Sequence, residues 1–91
     1  MATVSAEKMR REEIEEALEP YSYIGQLEEG SEDGYRHWQL LIDGSTSPIR
    51  FSTLKNKLPT AHLEPRRGPM RQAIEYVTKE TTRVAEEPRL E

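Results

Sequence analysis

The plainest hydrophobic pattern in the chain is an alternation over residues 35–43. Arg36, Trp38, Leu40 and Ile42 share one face of an extended segment, and Tyr35, His37, Gln39 and Leu41 share the other. The first set is mostly apolar and is expected to face a core, leaving an imidazole and an amide side by side on the second face. Residues 21–29 also alternate in part and read as a strand, joined to the first by the Gly- and Asp-containing turn at 30–34. Together they predict a β-hairpin.

Other segments carry a helical period. From Ser5, a plausible N-cap, Met9, Ile14, Ala17 and Leu18 recur at near-helical spacing until Glu19-Pro20 stops the run. Phe51, Leu54 and Leu58 predict a short helix over about 47–58. Gly68-Pro69 opens a last helix to about Thr81, with Met70, Ala73, Ile74 and Val77 as its buried stripe. Residues 1–5 are short and β-prone, and 61–64 could form a further brief strand. The expected order is βαββαβα. The expected class is therefore α+β, an antiparallel sheet with helices packed on it.

Composition limits the size of this fold. Ninety-one residues, 34 % hydrophobic and 33 % charged, support one small domain, which buries about 60–65 % of its unfolded surface. We assign it to residues 1–81. Residues 82–91 show no apolar period and are expected to be disordered, or an extension foreign to the domain, so that removing 84–91 should hardly change stability. A net charge of −4 gives no overall attraction to nucleic acid, so a DNA site would need a local basic patch. There is no cysteine, no apolar run of membrane-spanning length and no secretory signal; a soluble, intracellular chain is expected.

Three places could carry chemistry. On the second face of residues 35–43, His37 and Gln39 lie about 7 Å apart along the strand and can each offer a lone pair to a cation. If the turn closes a regular hairpin, odd positions on both arms share a face, so Glu29 joins them and Glu28 points away. A carboxylate, an imidazole and an amide oxygen suit Mg²⁺ or Mn²⁺ better than Zn²⁺. The alternative is a solvated polar face beside an acidic turn. In the last helix, Tyr76 lies about 110° from the middle of the buried stripe, with Lys79 as its neighbour; that pairing also describes an ordinary amphipathic border.

Taken together, these residues resemble the HUH endonuclease domain of replication initiators from small circular single-stranded-DNA viruses and related plasmids, the circovirus-like branch in particular. His37-Trp38-Gln39 is similar to the family's second motif, Tyr76-Val77-Thr78-Lys79 to its third, and Glu29, eight residues before His37, to its metal-binding glutamate. The likeness extends from about Thr3 to Glu80. The family's first motif, a strand followed by asparagine, can fall only on Ala2-Thr3-Val4, so the first strand is expected to lack its first half.

The resemblance implies a rolling-circle initiator that nicks and rejoins single-stranded origin DNA. Tyr76 would attack the scissile phosphate to leave a 5′-phosphotyrosine, with Mn²⁺ or Mg²⁺ held by Glu29, His37 and Gln39. Lys79 would stabilise the phosphate or assist ionisation of the phenol. A helicase domain would act from elsewhere, and the setting would be bacterial cytoplasm for a plasmid or the host nucleus for a virus. Lys55, Lys57, Arg66, Arg67 and Arg71 are candidates for DNA backbone contacts, against the alternative of a solvated basic face. His62 is expected to be structural. Two rival readings remain: an inactive domain of the same fold that binds single-stranded nucleic acid, and a protein-interaction domain.

Overall fold

The computed structural model describes residues 1–30, 34–44, 49–66 and 68–91. Within them the order is β1 (Ala2–Ser5), α1 (Arg11–Leu18), β2 (Ser22–Glu29), β3 (Arg36–Asp43), α2 (Phe51–Lys57), β4 (His62–Leu63) and α3 (Met70–Val77). The strands form one antiparallel sheet in the order β2-β3-β1-β4, so the protein is α+β as its periodicity implies. Residues 31–33, 45–48 and 67 lie outside the described residues. They include most of the expected hairpin turn, the expected start of α2 and the candidate DNA contact Arg67.

The two faces of the sheet carry different cores. On one face Val4, Leu27, Trp38 and Leu40 pack under Ile14 and Leu18 of α1 and Leu54 of α2. The Trp38 indole N–H donates to the Met9 carbonyl at 3.3 Å, which satisfies its polar atom inside this core. On the other face Leu41 meets Ala73 and Val77 of α3, with Met70 and Ile24 alongside. The second face of β3 is thus largely covered, and Gln39 is only 5 % exposed. The small side chain of Ala73 allows α3 to approach along a narrow strip; Ile74, expected inside that strip, is exposed, as is Phe51 of α2.

Helix boundaries are tighter than the periodicity suggests. Ser5 ends β1 instead of capping α1, and its carbonyl accepts from the backbone N–H groups of Lys8 and Met9 in a turn. The α1 helix starts at Arg11, where the Glu13 carboxylate accepts from the Arg10 backbone N–H at 3.0 Å. β1 is four residues long and lies inside the sheet, paired with β3 through Thr3↔Gln39 and with β4 through Thr3↔His62.

Two expectations are corrected here. The hairpin pairs Glu28 with His37 and Glu29 with Arg36, so six residues, 30–35, separate the arms where a five-residue turn was expected. Gly34 takes a positive φ of 67° and its N–H bonds the Gly30 carbonyl, while Gly30 N–H bonds Tyr35. Tyr35 therefore belongs to the turn, and one added residue reverses the parity of every position on β2 relative to β3.

The second correction concerns residues 82–91, which pack. Glu29 N–H donates to Thr82 O, Val84 N–H to Leu27 O, and Gly25 and Leu90 exchange two backbone bonds at 3.0 and 2.8 Å. Leu90 is fully buried and Val84 nearly so. The Arg11 guanidinium clamps the segment through Glu87 and the carbonyls of Pro88 and Arg89. The segment covers the outer edge of β2, satisfying backbone groups that an open edge would present to other chains.

Candidate active site

The reversed parity brings Glu28, not Glu29, to the face of His37. Glu28 sits opposite His37 on the adjacent strand with its side chain 3 % exposed, and His37 Nε2 is 3.4 Å from Glu28 Oε1. Glu29 instead forms a surface pair with Arg36 at 3.2 Å and cannot join them. Glu28 is nine residues before His37, one more than Glu29.

A carboxylate this deeply buried needs a positive partner or hydrogen bonds. Both are present. Lys79 Nζ lies 3.2 Å from each Glu28 oxygen, and the Gln26 amide nitrogen donates to Glu28 Oε2 at 3.0 Å. Lys79 lies beyond the end of α3, which stops at Val77, yet it remains the neighbour of Tyr76. Its ammonium is 3.9 Å from the centre of the Tyr76 ring, within cation–π range. One lysine therefore spans the strand carboxylate and the helix tyrosine. Tyr76 is half exposed, off the strip formed by Ala73 and Val77, as its angular position implied.

Glu28 and His37 form the part of the site that can hold a cation, offering a carboxylate and an imidazole nitrogen side by side. The Tyr35 ring stacks on His37 at 5.8 Å, and His37 Nδ1 is buried with no hydrogen-bond partner among the described residues. Gln39 lies one step along the same face, its amide oxygen accepting from the Thr3 hydroxyl at 3.3 Å. These donor types suit a hard divalent cation such as Mn²⁺ or Mg²⁺, which would have to share the Glu28 carboxylate with the Lys79 ammonium, 3.2 Å from both its oxygens. Among the described residues no three His, Cys, Asp or Glu side chains gather into a metal cluster.

Beside this group runs a cleft of about 340 Å³, lined by Thr3, Gln39, His62, Glu64, Gln72 and Tyr76 among others. The tyrosine therefore stands at a concave surface. No family model, curated protein or solved structure matches the chain, so its functional reading rests on this geometry and on the motifs.

The expected basic cluster divides. Lys57 sits on the opposite face, above the Tyr21 ring and in a hollow shared with Glu13 and Glu16, where a polyanion would be repelled. Lys55 donates to the Ala61 carbonyl at 2.8 Å, stabilising the turn after α2. Arg66 and Arg71 are exposed on the segment leading into α3 and within it, and they remain the placed candidates for phosphate contact.

Two further residues lie at or beside the site. His62, expected to be structural, is exposed in the cleft with Nε2 2.8 Å from Glu64 Oε1. Gln26 is fully buried at the centre of the site. The pairing Gln26↔Gln39 places it on this face, a placement that the sequence could yield only with the correct hairpin register.

Proposed function

We propose that this chain is the nicking and joining domain of a rolling-circle replication initiator, acting on single-stranded DNA through Tyr76. The observation that carries the reading is the Lys79 ammonium, in contact with both the Tyr76 ring and the Glu28 carboxylate beside His37. Three segments far apart in sequence thereby meet at one point, beside the cleft that Tyr76 and Gln39 line.

In this reading Tyr76 O attacks the scissile phosphorus, forming an O–P bond as the bond to the 3′-oxygen breaks. The phenol proton leaves to solvent or a neighbouring base, and the departing 3′-oxygen takes up a proton to become the hydroxyl that primes synthesis. Reversal of the same exchange rejoins the strand. Lys79 supplies positive charge beside the attacking group, where the phosphate's negative charge builds up. Glu28, His37 and Gln39 would hold Mn²⁺ or Mg²⁺, whose contribution is to polarise the phosphate. The cleft with Thr3, Gln72 and His62 offers hydrogen-bonding groups to nucleotides flanking the break, and Arg66 and Arg71 offer charge to the backbone.

Replacing the nucleophile tests this reading. Tyr76→Phe should abolish covalent attachment to single-stranded DNA in Mn²⁺, seen as loss of a denaturation-resistant band. The melting temperature should move by no more than about 2 °C, because the hydroxyl of a half-exposed ring leaves no buried partner behind. An unchanged band in the variant would rule out Tyr76. DNA binding by wild type with no band at all would favour the inactive binding domain.

A further inference from the structure

The C-terminal segment does more than cover a sheet edge. Arg89 Nε donates to Gln26 Oε1 at 2.9 Å, and Arg89 Nη2 donates to Thr78 O and to Glu80 Oε1, both at 2.7 Å. That hydrogen bond holds the Glu80 carboxyl below the usual carboxylate range. Gln26 in turn uses its amide nitrogen twice, toward Glu28 Oε2 at 3.0 Å and the Lys79 carbonyl at 2.6 Å. A continuous run of hydrogen bonds therefore links the tail to both partners of the central ion pair. The backbone pairing of Leu90 with Gly25 sets Arg89 beside Gln26.

We propose that Arg89 and Gln26 are positioning residues for the nuclease site, acting as one unit that fixes the Glu28 carboxylate and the backbone carrying Lys79. This rests on the functional reading above and adds the C-terminal segment to the site. A carboxylate on a strand can rotate about its own side chain. Gln26 removes that freedom by binding Oε2, and Arg89 orients the Gln26 amide by taking its oxygen, leaving the nitrogen to face the site. Thr78 and Lys79 carbonyls are each held by one member of the pair, so the chain leaving α3 cannot swing away from Glu28. Partners that orient a metal-binding carboxylate typically change metal affinity by about 10- to 100-fold when removed.

The test uses the full chain and Mn²⁺ alone, with affinity taken from Mn²⁺-dependent thermal stabilisation. A second readout is the position of the His37 imidazole resonances in metal-free protein, which report the carboxylate 3.4 Å away. Arg89→Ala is the first variant, since Arg89 is partly exposed and its removal leaves Leu90 and Val84 in place. We expect Arg89→Ala and Gln26→Ala each to weaken Mn²⁺ binding by about 10- to 100-fold. The double variant should be no worse than the weaker single one, because the two act in series. Both singles should displace the His37 resonances alike. Arg89→Lys, which cannot donate from two nitrogens at once, should stay weakened. Wild-type Mn²⁺ affinity in a destabilised Arg89→Ala variant would overturn the proposal, as would full additivity in the double variant. If wild type shows no Mn²⁺ response, the metal reading fails, and the His37 resonances alone decide: displacement in both singles supports the linkage, and no displacement refutes it.

Discussion

Removing residues 82–91 should lower the melting temperature by at least 10 °C, or leave no cooperative transition at all. Leu90 is completely buried and Val84 nearly so, both in the main core. Truncating one buried leucine to alanine typically costs about 2–5 kcal/mol. Deletion also strips backbone partners from Gly25, Leu27 and Glu29 and removes the three contacts of Arg11 with Glu87, Pro88 and Arg89. A domain of this size has only about 5–10 kcal/mol of stability in all, and each kcal/mol is worth roughly 4–8 °C. Thermal melting of the 1–81 fragment checks this; a shift of less than about 3 °C would show that the segment does not hold the edge of β2.

Glu28→Gln should remove the stabilisation by Mn²⁺ and slow covalent attachment by at least about 100-fold, whereas Glu29→Gln should leave both unchanged. The two glutamates are adjacent, but their surroundings differ completely. Glu28 is buried with His37, Lys79 and Gln26 around its carboxylate, while Glu29 is half exposed and pairs with Arg36 at the surface. A cation at a hundred times its dissociation constant stabilises a fold by about 2.7 kcal/mol, an easily measured rise that should vanish with the Glu28 charge. An exposed ion pair such as Glu29–Arg36 contributes about 0–1 kcal/mol. Parallel Mn²⁺ titrations followed by melting distinguish them. Loss of the response in Glu29→Gln and its retention in Glu28→Gln would contradict the register described here.

What the sequence conceals follows from these same residues. Strand β3 is legible because its alternation is local: Trp38 and Leu40 face the main core and His37 and Gln39 the other side, as their spacing requires. The position of Tyr76 is legible for the same reason, since a helix fixes angles by counting. Hairpin register is a different quantity. It depends on whether Tyr35 joins the turn or the strand, which composition does not decide, and the whole assignment of Glu28 and Gln26 hangs on it. The C-terminal segment is illegible for another reason. Its anchors, Val84 and Leu90, are isolated apolar residues in a charged stretch, and only the exposed edge of β2 gives them somewhere to pack. Ile74 shows the converse, a residue in register with a buried stripe yet exposed, because α3 meets the sheet through Ala73 and Val77, with Met70 alongside. Likewise Lys57 belongs to the basic cluster by sequence proximity and to the opposite face by topology.

Intact mass measurement of the wild-type protein after incubation with Mn²⁺ and a pool of single-stranded DNAs carrying a randomised stretch tests the central claim most directly. The pool removes the need to know the origin sequence, and digestion locates any attachment. The expected result is added mass equal to a DNA fragment joined through its 5′-phosphate, on the peptide containing Tyr76, with a free 3′-hydroxyl on the released piece. The absence of any adduct across the pool, or an adduct on another residue while Tyr76 stays unmodified, would contradict it.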